Sequence, residues 1–150
     1  METEAPATIA SLLEPASPSV KPIEISFPLP RTPHTNVHVH LTAMATSTMV
    51  FLSTTNAGDA GSTVKPMGSF VYAMPDRTNS RSTISTTLYT SPGSIDYATR
   101  AAKILARRMN VPVYVGCNID PVVTGATVEE EMEGFSKMID TIMKRWDSRE

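Results

Sequence analysis

Two short segments, TSTMVFLST at 46–54 and GSFVYAM at 68–74, restrict what this chain can fold into more than any other part of it. Both have the β-branched and aromatic content of strands. In both, apolar groups stand on either side of the two-residue alternation: Met49 and Phe51 oppose Val50 and Leu52, and Phe70, Tyr72 and Met74 oppose Val71 and Ala73. A sheet containing them needs cover on both faces. Helices of the same chain can supply one cover. The other face has to be met by a partner, or by the N-terminal arm folding back, because a monomer does not tolerate so large an apolar patch.

The remaining pattern supplies further strands and the helices. IEISFPL at 23–29 alternates Ile23, Ile25, Phe27 and Leu29 against Glu24 and Ser26, a first strand with Pro28 at its end or at a sheet edge. TNVHVHLTA at 35–43 puts Val37, Val39, Leu41 and Ala43 on one face and His38, His40 and Thr42 on the other. A turn near 45–47 makes it a hairpin with 46–54, the Gly- and Asn-containing stretch 55–68 is a loop, and TISTTLYT at 83–90 is a further strand. Ser91-Pro92-Gly93-Ser94 then starts a helix, with Ser91 or Ser94 as cap and Pro92 at the first helical position. Ile95, Ala98, Ala102, Leu105 and Met109 form one apolar stripe, and Asn110 ends it. VPVYVGCNI at 111–119 is apolar almost throughout, which predicts a central strand covered on at least one side. Thr127 and Glu130 have capping-box spacing, worth about 1 kcal/mol. The stripe Val128, Met132, Phe135, Ile139, Ile142, Trp146 behind them predicts a helix over about 128–147.

Seven prolines (6, 15, 18, 22, 28, 30 and 33) crowd the first 33 residues. Each removes a backbone donor and disfavours helix before it. The expected organisation is a disordered Pro-rich arm at 1–21, a single folded domain at 22–147 and a tail at 148–150. A chain of 150 residues suits one core. A net charge of −2 gives no attraction to nucleic acid or to an anionic membrane, so a neutral protein surface is the expected partner. Cys117 is the only cysteine, which excludes an internal disulfide; in its apolar tract it reads as a small hydrophobe in a reducing compartment. No run approaches 18 apolar residues and the N-terminus lacks signal-peptide character, so the expectation is a soluble, intracellular protein.

No catalytic constellation emerges. The turn at 91–94 has one glycine and no lysine before Lys103, so it reads as a capped helix start and not a phosphate cradle. GDAGSTVKPMG at 58–68 lacks the spacing of a phosphate-binding loop. His38 and His40, with His34 nearby, have metal-compatible geometry, but no motif places a carboxylate or cysteine with them, which leaves a polar sheet face or a subunit contact. There is no G-x-S-x-G elbow, and Cys117 has no identifiable base. Glu129, Glu130, Glu131 and Glu133 complement a helix dipole. Catalytic, cofactor and metal residues are accordingly expected to be none. The candidate partner-interface residues are His38, His40, Met49, Phe51, Phe70 and Tyr72 on the sheet, with Arg100, Lys103 and Arg107 on the first helix as a charged docking set.

The run ISTTLYTSPGSIDYATRAAKILARRMNVPVYVGCNI (84–119), followed by VEEEMEGF (128–135) and preceded by NVHVHLTAMATSTMVFLST (36–54) and GSFVYAMPDR (68–77), resembles the proteasome assembly chaperone 4 family. The likeness covers about residues 22 to 146; the Pro-rich arm and the 55–67 loop fall outside it. It implies an α+β fold: a six-stranded, mostly antiparallel sheet with two helices packed on one face, in the order β-β-β-β-β-α-β-α. It also implies a non-enzymatic, cytoplasmic and nuclear chaperone. Such a protein pairs with a proteasome assembly chaperone 3-like subunit, binds a proteasome α-subunit during α-ring assembly of the 20S core, and leaves before maturation. A dimeric adaptor with non-proteasomal partners is the alternative reading, and a small hydrolase or nucleotide-binding enzyme the third.

Overall fold

The computed structural model describes residues 21–58, 65–121 and 127–149. Its elements are β1 (Ile23–Pro28), β2 (Thr35–Ala43), β3 (Thr48–Asn56), β4 (Ser69–Pro75), β5 (Thr83–Tyr89), α1 (Ile95–Met109), β6 (Val113–Cys117) and α2 (Val128–Asp147). The expected disordered arm lies almost wholly outside the described residues, as does the middle of the 55–67 loop.

The six strands form one sheet in the order β1-β2-β3-β6-β4-β5. Neighbours are antiparallel except β3 and β6, which run parallel with Val50 opposite Val115. A parallel pair needs a long connection, and α1 with the strands before it provides one. The last strand in the chain therefore sits between the third and the fourth, the central position that its apolar sequence predicts.

Alternation sorts the two faces. Val39, Leu41, Val50, Leu52, Val71, Val113, Val115 and Cys117 point to the helix side, each at most 2% exposed. α1 meets them with Ala98, Ala101, Ala102, Leu105 and Ala106, all fully buried. So many alanines let the helix axis lie close to the sheet, with Leu105, Tyr97 and Met109 as the large buried side chains of the helix. α2 contributes Met138 and Ile142, also fully buried. Each large apolar side chain removed from water is worth roughly 1.5–3 kcal/mol.

Most terminal signals act as the residues suggest. Thr127 Oγ1 accepts the Glu130 backbone N–H at 3.2 Å and caps α2. Asn110 adopts the left-handed conformation at φ 57° and donates its N–H to the Ala106 carbonyl, ending α1. The start of α1 differs from expectation. Ser94 holds the cap position, but its hydroxyl makes no cap bond. It accepts the Ser69 N–H at 3.2 Å and lies 2.9 Å from Ser69 Oγ, while Pro92 precedes the cap and is not the first helical residue. The polar groups there tie the helix to the start of β4.

Candidate interaction surfaces

The helix layer leaves the opposite sheet face open. Across the central strands it carries a row of rings: Phe51 stacks on Phe70 at 6.2 Å, Phe70 on Tyr114 at 6.0 Å, and Tyr72 tilts against Tyr114 at 4.8 Å. His40 meets the end of the row, edge to face with Phe51 at 6.3 Å. Met49 and Met74 flank the rings. All of these side chains are partly exposed, although each belongs to a residue type that chains normally bury or use in interfaces.

Gly116 makes the row continuous. It is paired with Phe51 on β3 and with Phe70 on β4, so the two rings lean over a position with no side chain. A Cβ there would stand 2.5 Å from Phe51 Cδ1.

Toward β1 and β2 the same face turns polar. The two ring nitrogens of His38 lie 2.7 Å from Ser26 Oγ and 2.7 Å from Thr55 Oγ1, so both are engaged with hydroxyls of the neighbouring strands. His40 Nδ1 stands 3.6 Å from Glu24 Oε1. Among the described residues no group of His, Cys, Asp and Glu is arranged to hold a metal ion. An apolar centre bordered by a polar flank is the anatomy of a protein interface.

The structure thus places the nine interface candidates on two different surfaces. His38, His40, Met49, Phe51, Phe70 and Tyr72 share the open sheet face; Arg100, Lys103 and Arg107 lie on α1, in the helix layer. Arg100 is committed within the fold. Its Nη2 donates to Glu131 Oε1 at 2.6 Å, and its guanidinium lies 5.0 Å from the Phe135 ring centroid. Charge reversal at Arg100 therefore disturbs the helix layer as well as any docking. Lys103 and Arg107 are exposed and make no ion pair among the described residues. Tyr114, the hub of the aromatic row, was not among the candidates. Its signal was the alternation of Val113, Val115 and Cys117 against Tyr114 and Gly116, hidden in a tract that reads as uniformly apolar.

Two features bear on chemistry. Burial pushes the Cys117 thiol up to about 12, so it carries no thiolate at neutral pH and is a poor nucleophile. At the start of α1, a Cβ on Gly93 would overlap the Asp120 carboxylate. The chain's own anion occupies the ground beside that helix start, where the dipole favours negative charge.

A sequence profile of the proteasome assembly chaperone 4 family matches residues 36–119, more than half of the chain. Among solved structures, a chain in the crystal structure of a novel chaperone complex for yeast 20S proteasome assembly superposes with a TM-score of 0.58 and 19% sequence identity. The match covers 83% of this chain and 95% of that one, and at this identity it shows a shared fold. No curated protein sequence matches the chain significantly.

Proposed function

The chain belongs to the proteasome assembly chaperone 4 family, and from that membership we propose that it works as one half of a heterodimer that builds the α-ring of the 20S core. Its open sheet face packs against a structurally similar, proteasome assembly chaperone 3-like subunit. Its helix layer, with Lys103 and Arg107, turns toward a proteasome α-subunit. The role is non-enzymatic and is carried out in the cytoplasm and nucleus. The observation that carries this reading is the row Phe51, Phe70, Tyr114, Tyr72, left partly exposed on a face that no described helix covers.

Burying that face against a partner of standard size would remove roughly 800 Å² from each protein. Aromatic anchors of this kind carry a large share of binding energy. The α-subunit contact has to be weaker, since a chaperone that never leaves blocks the arrival of β-subunits. Release is then steric: β-subunits claim the surface that the chaperone holds.

The test is affinity purification of the tagged chain from its native cells, with every co-purifying protein identified by mass spectrometry. A second small chaperone with core α-subunits and few mature β-subunits is the expected result. Phe51→Asp with Tyr72→Asp should lose the second chaperone first. Recovery of neither class of protein would leave the adaptor reading in its place.

A further inference from the structure

The cations of α1 divide into two sets. Those turned to α2 are matched, Arg100 by Glu131 at 2.6 Å and Arg108 by Asp140 at 3.4 Å. Arg107 is not. Its side chain lines a concavity of about 410 Å³ at the C-terminal end of α1, together with Arg77, Ser80 and Asn110, over Met74 and Pro112. Arg77 comes from the β4–β5 turn and, like Arg107, makes no ion pair among the described residues.

One acid shares the concavity, and the turn engages one of its oxygens. Asp76 accepts the Thr78 backbone N–H at 2.9 Å and the Thr78 hydroxyl at 2.7 Å, bonds that hold its carboxyl below the usual carboxylate range. Both bonds fall on Oδ1, and the carboxylate forms no ion pair with either guanidinium, so two cations against one anion leave the concavity a net positive charge. Two planar guanidiniums with a carboxamide and a hydroxyl beside them offer paired N–H donors of the kind that bind a carboxylate in bidentate fashion. A long polyanion fits poorly on a chain whose net charge is −2.

We infer that this concavity receives an acidic segment of a protein partner, one Asp, Glu or C-terminal carboxylate held between Arg77 and Arg107. Resting on the proposed chaperone role, the partner is the α-subunit. Met74 joins the concavity to the open sheet face, and Arg107 joins it to the helix layer. A segment seated there lies beside the sheet-packed chaperone without competing for the aromatic row.

The experiment uses the full chain in complex with its sibling chaperone. In wild type, N-acetyl-hexaglutamate titrated into the isotope-labelled protein should shift the amide signals of Arg77, Ser80, Arg107 and Asn110. The shifts should weaken at high salt and vanish in Arg77→Glu with Arg107→Glu. The same double variant should bind the α-subunit at least tenfold more weakly while keeping its sibling and its melting temperature. No shift with the peptide, shifts that persist in the double variant, or equal shifts with heparin would each overturn the inference. If the peptide binds as expected but wild type captures no α-subunit, the acidic-segment site stands and the assembly reading is what fails.

Discussion

Phe51 and Phe70 belong to strands that do not touch, yet their rings stack 6° from parallel, because the strand between them sets Gly116 opposite both. Gly116→Ala would drive a methyl to within 2.5 Å of the Phe51 ring and separate the pair. The expected cost is about 1–3 kcal/mol, read by denaturant unfolding. Sibling-chaperone binding should fall with it. In the double variant Gly116→Ala with Phe51→Ala the two costs should not add, since one removes the ring that the other strikes. Strict additivity would show that the ring has other room.

A second prediction concerns alkaline pH. Burial raises the Cys117 thiol from 9.0 to about 12 and pushes the Tyr97 phenol above its ordinary value, so the fold prefers both groups neutral. The unfolded chain gives up these protons first. Stability is therefore full below the ordinary thiol value and falls as pH rises from about 9 toward 12, by about 1.4 kcal/mol per pH unit for each group titrating. Cys117→Val should flatten the decline, measured by urea unfolding across that range. Parallel declines in the two proteins would assign the loss to other groups.

A third contrasts two cations on one helix. Arg100→Ala removes the Glu131 pair and the packing over Phe135, and should cost about 0.5–1 kcal/mol after allowance for the half-exposed site. Lys103→Ala, with no ion pair among the described residues, should leave the melting temperature unchanged. The Arg100 loss should shrink in a Glu131→Gln background. Equal effects of the two single substitutions would remove the structural role given to Arg100.

A fourth separates two glycines that share a backbone region. Gly58 at φ 98° has nothing within reach of an added Cβ, so Gly58→Ala should cost only the left-handed strain of about 1–2 kcal/mol. Gly68 at φ 81° faces the Cys117 carbonyl and the Asn118 Cα, backbone atoms that cannot turn aside. Gly68→Ala should therefore destabilise severely, with loss of soluble protein as its readout. Matching melting curves for the two variants would contradict the packing at the β4 start.

Local chemistry made much of this fold legible. Thr127 with its apolar stripe marks α2 at 128–147, and Val37, Val39 and Leu41 mark the buried face of β2. Alternation says which side chains share a face; it is silent on which strand lies next. The parallel placement of β6 against β3 is a pairing between residues more than fifty positions apart, and no local pattern announces it. The same gap hid Tyr114 within the aromatic row, the Ser94 hydroxyl given to Ser69, and the Glu131 partner of Arg100. Each of these depends on a neighbour brought in by the tertiary fold.

The central position of β6 also sets an order of events. Before Val113–Cys117 enters, β1-β2-β3 and β4-β5 are two small sheets, each with a raw inner edge at β3 or β4. Only a strand that leaves the ribosome after all the other five can join them. Long-range pairing of this kind is slow, and open edges are where chains aggregate while they wait. Truncation before Val113 should therefore yield two unjoined, sticky half-sheets, so the sheet closes only once β6 has followed the other five strands out.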